Sequence, residues 1–359
     1  VWSPISRDIA GFLNQMGVLS GIQGLSTSRN LEILPTVTAI QLGQLDETSG
    51  VFNEGDTEPD VGLNVKYGLT SNLTADFTVN PDFSQIESDR PQIEVNQRFP
   101  LFFPELRPFF LEGREIFGTP GWVNLVHTRT IVDPQFGGKL SGKAGKTQLG
   151  LLVANDRAPG KLDDTSAPGY GKTAQFVIGR ARHDIYAESY IGGIFTDREF
   201  LDSYSRVAGV DGRLKFGATH GVQFVAVASQ NRDDEGNEET GPLIDVTFGR
   251  NSRNWNYGVR YNSIDPGFDT EAGFVRRVDV RRVDGNVSYR WWPEAMIINW
   301  GPSFSYLRNV DHAGVLQDED YRAGVNLRMA NNVYIRADAR REMERYRDVN
   351  FDKNRYSVG

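Results

Sequence analysis

The sequence predicts an all-β fold, a transmembrane up-and-down antiparallel β-barrel, and three observations carry that expectation. From residue 31 onward apolar and polar residues alternate with a period of two, short turns alternate with long polar connections, and aromatic residues gather toward strand ends. In VGLNVKYGL, residues 61–69, Val61, Leu63, Val65, Tyr67 and Leu69 share one face, and Gly62, Asn64, Lys66 and Gly68 share the other. The pattern returns late in the chain: Tyr257, Val259 and Tyr261 oppose Gly258, Arg260 and Asn262, and Val325, Leu327 and Met329 oppose Gly324, Asn326 and Arg328.

Taken in order, candidate strands lie near 31–44, 61–70, 73–80, 92–99, 122–132, 136–143, 147–155, 173–182, 186–195, 205–217, 221–230, 242–250, 255–263, 278–291, 296–307, 320–330 and 332–342, with another beginning near Arg355. That makes about 17–18 strands, within the range of outer-membrane barrels. Tight turns are expected at Ser71-Asn72, Ala144-Gly145-Lys146, His183-Asp184, Thr219-His220, Ser252-Arg253, Pro293-Glu294 and Asn331-Asn332. Long connections are expected near 45–60, 156–172, 197–204, 231–241, 264–277, 308–319 and 343–354. Short turns at one end and long loops at the other belong to a barrel whose loop end faces the exterior, here that of a Gram-negative bacterium's outer membrane. The polar face then lines a lumen, with Arg260, Arg290, Arg322, Arg328 and Arg336 as lumen-facing candidates. Tyr257, Tyr261, Tyr289, Trp291, Trp292, Trp300, Tyr306 and Tyr321 are placed as interfacial girdles. Closure follows from the solvent: in lipid every backbone N–H and C=O must be paired, which an open edge cannot do. The chain ends at NRYSVG without a terminal aromatic strand, so further strands are expected beyond it, and residues 1–30 read as a linker from an N-terminal domain.

Composition removes several function classes. The 359 residues carry 47 acidic and 39 basic side chains, a net charge of −8, and no basic stripe that would follow phosphates, so nucleic acid is not an expected partner. There is no cysteine, hence no thiol chemistry and no thiolate metal site. The N-terminal residues lack a signal peptide's basic and apolar regions, and no run of apolar residues is long enough for a helical span. His127, His183, His220 and His312 are scattered without ligand spacing. GVLSG at 17–21 has its serine one place late for a nucleophile elbow, and SAPGYGKT at 166–173 has Ser166 where a phosphate loop needs glycine. No cofactor is expected. The one calcium candidate is DVNFDKN, with Asp348, Asn350 and Asp352 at alternate positions, although Lys353 takes the sharp-turn glycine position and Gly359 that of the bidentate glutamate. RDDEGNEE at 232–239 reads as a solvated exterior loop, and the expected surroundings are outer-membrane lipid and lipopolysaccharide.

One stretch breaks the alternation. FPLFFPELRPFFLEGREIF, residues 99–117, packs six phenylalanines and three prolines into nineteen residues. Pro100, Pro104 and Pro108 exclude a regular helix or central strand, so the rings must find burial in the lumen, at the membrane interface or against a partner domain. Counting crossings with 122–132 as a strand requires 92–99 to cross as well, which assigns 81–91 to the long-loop side and 100–121 to the short-turn side. On that count 100–121 is a periplasmic-side or lumenal insert in a barrel of residues 31–359. Interleaved Glu105, Arg107, Glu112, Arg114 and Glu115 suit a plug whose rings pack together while its charges meet an arginine-rich wall.

The stretch VNPDFSQIESDRPQIEVNQRFPLFFPELRPFFLEGREIF resembles the bacterial proteins that carry the domain of unknown function 5916. The matching positions include Asn80, Asp82, Phe83, Glu87, Asp89, Phe102, Phe103, Glu105, Arg107, Phe109, Phe110, Glu112 and Phe117. GIQGLSTSRNLEILP at 21–35, FVIGRARHDIYAESYIGGIFTDRE at 176–199 and DPGFDTEAGFVRRVD at 265–279 agree as well. VHTRTIVDP departs from a Ser-Arg-Arg-Ile-Gly run, keeping only Arg129 and Ile131 of it. The resemblance implies an outer-membrane barrel behind a domain similar to family 9 carbohydrate-binding modules, a possible glycan-binding partner, and it brings no reaction.

The leading expectation is therefore a non-catalytic barrel serving passage, export or anchoring of surface glycans or proteins. One rival is a cell-surface hydrolase, glycosidase-like, with two loop carboxylates about 5–10 Å apart in a sugar-sized cleft. The other is a structural subunit of a larger outer-membrane assembly.

Overall fold

The computed structural model describes residues 4, 15–21, 30–46, 48–83 and 98–359, the side chains of Leu42 and Glu58 apart. Among these residues sixteen strands form one sheet, each hydrogen-bonded antiparallel to its neighbours in chain order. They are β1 (Leu31–Leu45), β2 (Phe52–Thr70), β3 (Leu73–Val79), β4 (Pro134–Ala144), β5 (Thr147–Asp156), β6 (Ala174–Tyr186), β7 (Ser189–Phe200) and β8 (Ser203–Phe216), followed by β9 (His220–Arg232), β10 (Glu238–Asn251), β11 (Trp255–Ile264), β12 (Val280–Tyr289), β13 (Ile297–Val310), β14 (Leu316–Met329), β15 (Tyr334–Tyr346) and β16 (Val349–Val358). The up-and-down, all-β architecture is the expected one. No helix among the described residues is long and apolar enough to cross a membrane.

Two expected details change, and one lies outside the described residues. The 92–99 strand lies almost entirely outside the described residues, as do Glu87 and Asp89. Residues 122–132 are no strand: they make one bridge, Asn124 to Phe274, and a 3-10 turn at Thr128–Thr130. The long connections expected at 197–204 and 343–354 are two-residue hairpins, because the flanking strands run on to Phe200 and Ser203 and to Tyr346 and Val349. At the second of these, Arg347 and Asp348 both have positive φ, 46° and 65°, the backbone sense that matches strand twist. The hairpin also removes the calcium candidate. Asn350 and Asp352 sit in extended β16 while Arg345 donates to Asp348 (2.9 Å) and Asn350 (3.3 Å), so the three side chains do not converge on a cation.

Losing the 122–132 strand corrects the crossing count. β3 pairs directly with β4, from Leu73 opposite Gly142 to Val79 opposite Phe136. The chain therefore leaves β3 at residue 80 and re-enters the sheet after residue 133 at the same end, the one that carries the long loops and not the short-turn end.

The two sheet faces follow the predicted period. Outward lie Phe195, Val210, Ile244, Val259 and Val325, each about 40–50% exposed: large apolar side chains with no protein covering them, as a lipid-facing belt requires. Among the expected girdle residues, Tyr289, Trp291 and Trp300 join Trp255 in a chain of rings with centroids 4.4–4.9 Å apart at the short-turn end. Tyr306 and Tyr321 pair at 4.9 Å toward the other end. Trp292 departs from the girdle, its Nε1–H donating to the Arg253 carbonyl. Inward lie Asp76, Lys139, Arg180, Asp211, Asp245 and Asn262, all buried, together with the apolar residues that meet the 80–133 connection. Apolar belt outside, polar interior and strand-to-strand pairing of the backbone, with β1 and β16 left as the two edges among the described residues, are the features of a bacterial outer-membrane barrel protein, and they localise the chain to that membrane.

The belt makes a direct prediction. Phe195→Arg, at the middle of an outward face, lowers the free energy of folding into lipid vesicles by about 2–4 kcal/mol. Gln223→Arg, on the inward face, changes it by about 0.5 kcal/mol or less in the same denaturant titration.

Candidate functional site

The insert, residues 98–133, folds against the inner wall and brings together most of the singled-out residues. Pro108 opens a helical turn, Pro108–Leu111, at the position where a missing N–H costs nothing. Gly113, in the left-handed region at φ 70°, turns the chain into a 3-10 turn, Arg114–Phe117. Two wall glycines leave room for the rings: a Cβ on Gly137 of β4 would lie 2.9 Å from the Phe109 ring, and one on Gly150 of β5 would lie 2.9 Å from that of Phe117. The 109–117 stretch thus reaches the half of the wall nearer the short turns, although its limbs enter from the other end.

Glu105 and Arg107 are both buried and close the insert on itself. Glu105 Oε1 accepts from Arg107 Nε at 2.8 Å and from the Arg107 backbone N–H at 2.9 Å. Its Oε2 accepts from Arg107 Nη2 at 2.7 Å and from the Thr128 hydroxyl at 2.6 Å. The guanidinium also donates to the carbonyls of Ile131 and Thr128, both at 2.6 Å, on the returning limb. Phe110 and Phe83 cover its faces, with centroids at 4.3 and 5.1 Å. Burial pushes the Glu105 carboxyl up, but the hydrogen bonds from Arg107 and Thr128 outweigh it and hold the group down at about 2. Beside this pair, Lys139 of β4, nearly inaccessible, donates to the carbonyls of Phe109 (2.6 Å) and Glu112 (2.8 Å) with Asp76 at 3.5 Å, and Glu112 meets Lys66 of β2.

Asn80 marks the start of the connection, with positive φ and its N–H bonded to the Gln135 carbonyl at 2.7 Å. Arg157 Nη2 joins it to the other end, donating to Asn80 at 2.8 Å and to Asp133 at 2.9 Å. Asp82 has a partner within the fold. Phe102 packs on His127 (4.9 Å) and Phe274 (5.2 Å), and Phe103 is half-buried.

The insert meets its two sides differently. Toward β5–β10 the contact is apolar: Phe110, Phe117 and Ile131 pack with Leu152, Phe176 and Ile178, while Val123 and Leu125 pack with Val207, Val225 and Leu243. That second cluster runs on to Ile264 at the end of β11 and Val280 at the start of β12, and beyond it, toward β12–β15, the contact is made by charges and rings. Arg98 bridges Asp318 (2.8 Å) and Glu344 (2.7 Å), and Trp122 lies under Arg282 (3.4 Å) and Arg260 (4.6 Å). A cavity of about 610 Å³ remains on this side, toward the long-connection end. Its carboxylates are held in ion pairs: Asp318 with Arg98 and Arg277, Asp320 with Arg340, Glu342 with Arg340, and Glu344 with Arg98 and Lys353.

Of the lumen candidates, Arg260 forks onto Asp245 (2.8 and 2.9 Å), while Arg322 and Arg336 share Asp338, each at 3.0 Å. Arg290 and Arg328 line a separate cavity of about 230 Å³ with Trp292 and Tyr334 near the short turns. Sequence reasoning missed Arg98, Phe99, Trp122, Lys139, Asp245, Arg276, Arg282 and Asp318. For Lys139, Asp245, Arg282 and Asp318 the available signal was strand charge on the polar side of the alternation; Arg98, Phe99, Trp122 and Arg276 lie outside the strands and carried no such signal.

The fold is similar to solved outer-membrane proteins at low identity. Pseudomonas aeruginosa OpdQ is 11% identical over 93% of this chain and 88% of its own, with a TM-score of 0.38. Pseudomonas aeruginosa OprD is 9% identical over 91% and 84%, TM-score 0.35, and a bacterial polysaccharide outer-membrane secretin is 10% identical over 85% and 89%, TM-score 0.35. Among curated proteins none matches the chain in sequence.

The buried pair yields two measurable consequences. Arg107→Ala strands a buried carboxylate and destabilises the protein by about 3–5 kcal/mol in denaturant titrations. Because the folded pKa of Glu105 is depressed, its contribution is complete above the ordinary value of 4.5 and is lost as pH falls through about 2. The stability gap between the natural protein and Glu105→Gln therefore closes over that acid window and stays constant from pH 5 to 8.

The signature residues that build the insert, from Asn80 through Phe117, all lie within residues 31–137, and that stretch matches the family model of the domain of unknown function 5916.

Proposed function

We propose that this chain is an outer-membrane channel in which residues 98–133 form a fixed constriction, and that solutes pass along the β11–β15 side. The observation that carries the reading is the asymmetry of the insert's contacts. An apolar interface holds it to β5–β10, whereas on the other side it presents Arg98, Phe99 and Trp122 across an open, polar cavity. Apolar clusters exclude water, and a wall of paired charges keeps it, so the two sides of one lumen differ in permeability. A cavity of about 610 Å³ admits small solutes and not folded proteins, so of passage, export and anchoring it is passage that these dimensions support.

The chain has no cysteine, which makes a blocking experiment direct. In planar bilayers, Arg340→Cys protein loses most of its conductance after reaction with a bulky thiol reagent, while Leu152→Cys protein, altered on the apolar side, does not. Arg98→Ala raises conductance by removing the bridge to Asp318 and Glu344. Absence of ion conductance in all of these proteins, folded by circular dichroism, overturns the channel and favours a structural barrel.

A further inference from the structure

On the outer face of β12–β15 the apolar belt gives way to arginine at the long-connection end. Val283, Phe304, Val325 and Ile335 are outward and exposed along the four strands. Farther along the same alternation come Tyr306 and Tyr321, whose rings pair at 4.9 Å, and with them Arg281, Arg308 and Arg341. Tyrosine rings at a strand end stand at the membrane–water interface, so these guanidinium groups lie at the depth of the lipid headgroups.

The protein does little to neutralise them. Arg341, exposed and opposite Tyr321 in the ladder, meets no carboxylate among the described residues. Arg281 donates to the His312 carbonyl at 3.2 Å. Arg308 is more than half exposed and has Glu319 at 3.7 Å, a carboxylate that also accepts from the Tyr306 hydroxyl at 3.3 Å. A second acid of this face, Asp352, stands on β16 opposite Met343. On β8 the corresponding cation is already taken, since Arg206 holds both Asp197 and Glu199.

The spacing of the two foremost arginines restricts what they can hold. Arg308 is opposite Glu319, Glu319 is opposite Met343, and Arg341 lies two residues along β15 from Met343. With strands about 4.8 Å apart and a rise of about 3.4 Å per residue, the two backbones are about 12 Å apart. To close on a single phosphate both side chains must lean inward across Glu319 and Tyr321. Standing straight out from the wall, they meet two phosphates, one each, and a guanidinium fork matches phosphate oxygens.

We propose that this face binds the bisphosphorylated disaccharide headgroup of lipopolysaccharide, with Arg308 and Arg341 each taking one phosphate. Tyr306 and Tyr321 lie beneath the sugars, and the acyl chains follow Phe304, Val325 and Ile335 into the belt. The site is separate from any path for solutes, because it faces lipid and not the lumen.

The test is native mass spectrometry on the full chain folded in detergent, titrated with diphosphoryl lipid A, monophosphoryl lipid A or phosphatidylglycerol, with inorganic phosphate as competitor. Diphosphoryl lipid A is expected to bind about tenfold or more tightly than either other lipid and to stay bound in excess inorganic phosphate. Arg308→Gln and Arg341→Gln each bring its affinity down to that of the monophosphoryl form, Arg341→Lys retains most of it, and Arg206→Gln leaves it unchanged. Unchanged migration of the folded band on unboiled gels confirms that the variants fold. Equal binding of diphosphoryl lipid A and phosphatidylglycerol, or no loss in either glutamine variant, overturns the site. Equal binding of the two lipid A forms overturns the two-phosphate assignment, and displacement by inorganic phosphate overturns the lipid as its source.

Discussion

The insert depends on one interaction, the buried pair of Glu105 and Arg107. A run with prolines at 100, 104 and 108 satisfies only part of its own backbone, through one helical turn, and the returning limb around Thr128–Ile131 likewise forms only a single 3-10 turn. Arg107 supplies donors to both: it holds the Glu105 carboxylate on the outgoing limb and the Thr128 and Ile131 carbonyls on the returning one. Desolvating two charges is costly, and the arrangement offsets that cost because both carboxylate oxygens and all three guanidinium nitrogens have partners. Only after this closure do Phe83, Phe109, Phe110 and Phe117 form a surface that the wall can match.

The wall is built by a single rule with two outcomes. Outside, every strand meets the same apolar medium, and the alternation yields a uniform belt. Inside, the residues at the same alternate positions meet either the insert or water. Where β5–β10 meet the insert, the inward positions are Leu152, Phe176, Ile178, Val207 and Val225; where β11–β15 meet the cavity, they are Arg282, Asn309, Asp318, Arg340 and Glu344. The side-chain composition of the inner face is thus a record of what stands opposite it. Fixed ion pairs within the polar wall hold their geometry without closing the space, because their guanidinium groups reach along the wall to a carboxylate on the same or an adjacent strand, as Arg340 does to Glu342 and Asp320.

Period-two alternation was enough to read the class, the direction of every described strand and the outward belt from the residues alone. Strand ends were less legible. Leu201-Asp202 and Arg347-Asp348 carry neither glycine nor asparagine, so their tight turns resemble continuing loop, and only the ladder pairing of the flanking strands forces them. WVNLVHTRTIV, residues 122–132, failed in the opposite sense. Val123, Leu125 and Ile131 are apolar because they are buried between the insert and the wall, and that burial mimics the spacing of a strand. Counting this piece as a crossing is what started the limbs of the aromatic segment from the short-turn end, whereas they enter from the long-connection end. Within the site, the positions of Glu105, Arg107 and Glu112 were legible but their partners were not, since Lys139, Thr128 and Lys66 lie 23 to 46 residues away.

The corrected topology decides from which side the insert is controlled. Both limbs start at the long-connection end, where Asn80 and Asp133 are tied by one side chain, Arg157, and where Asp156 accepts the Val132 and Asp133 N–H groups at 3.0 and 2.7 Å. These bonds clamp the entrance and the exit of the connection to the same pair of strands. A force applied to the loops at that end therefore acts on both limbs together and meets the apolar interface with β5–β10 in shear, where many contacts must break at once. Beyond the apolar contact of Val123 and Leu125 with Ile264 and Val280, the same force meets the β12–β15 side through Arg98 and Trp122, contacts that water and mobile ions can replace one at a time. The cavity side is for that reason the more weakly held of the two, and the Glu105–Arg107 closure is made within the insert, independently of it.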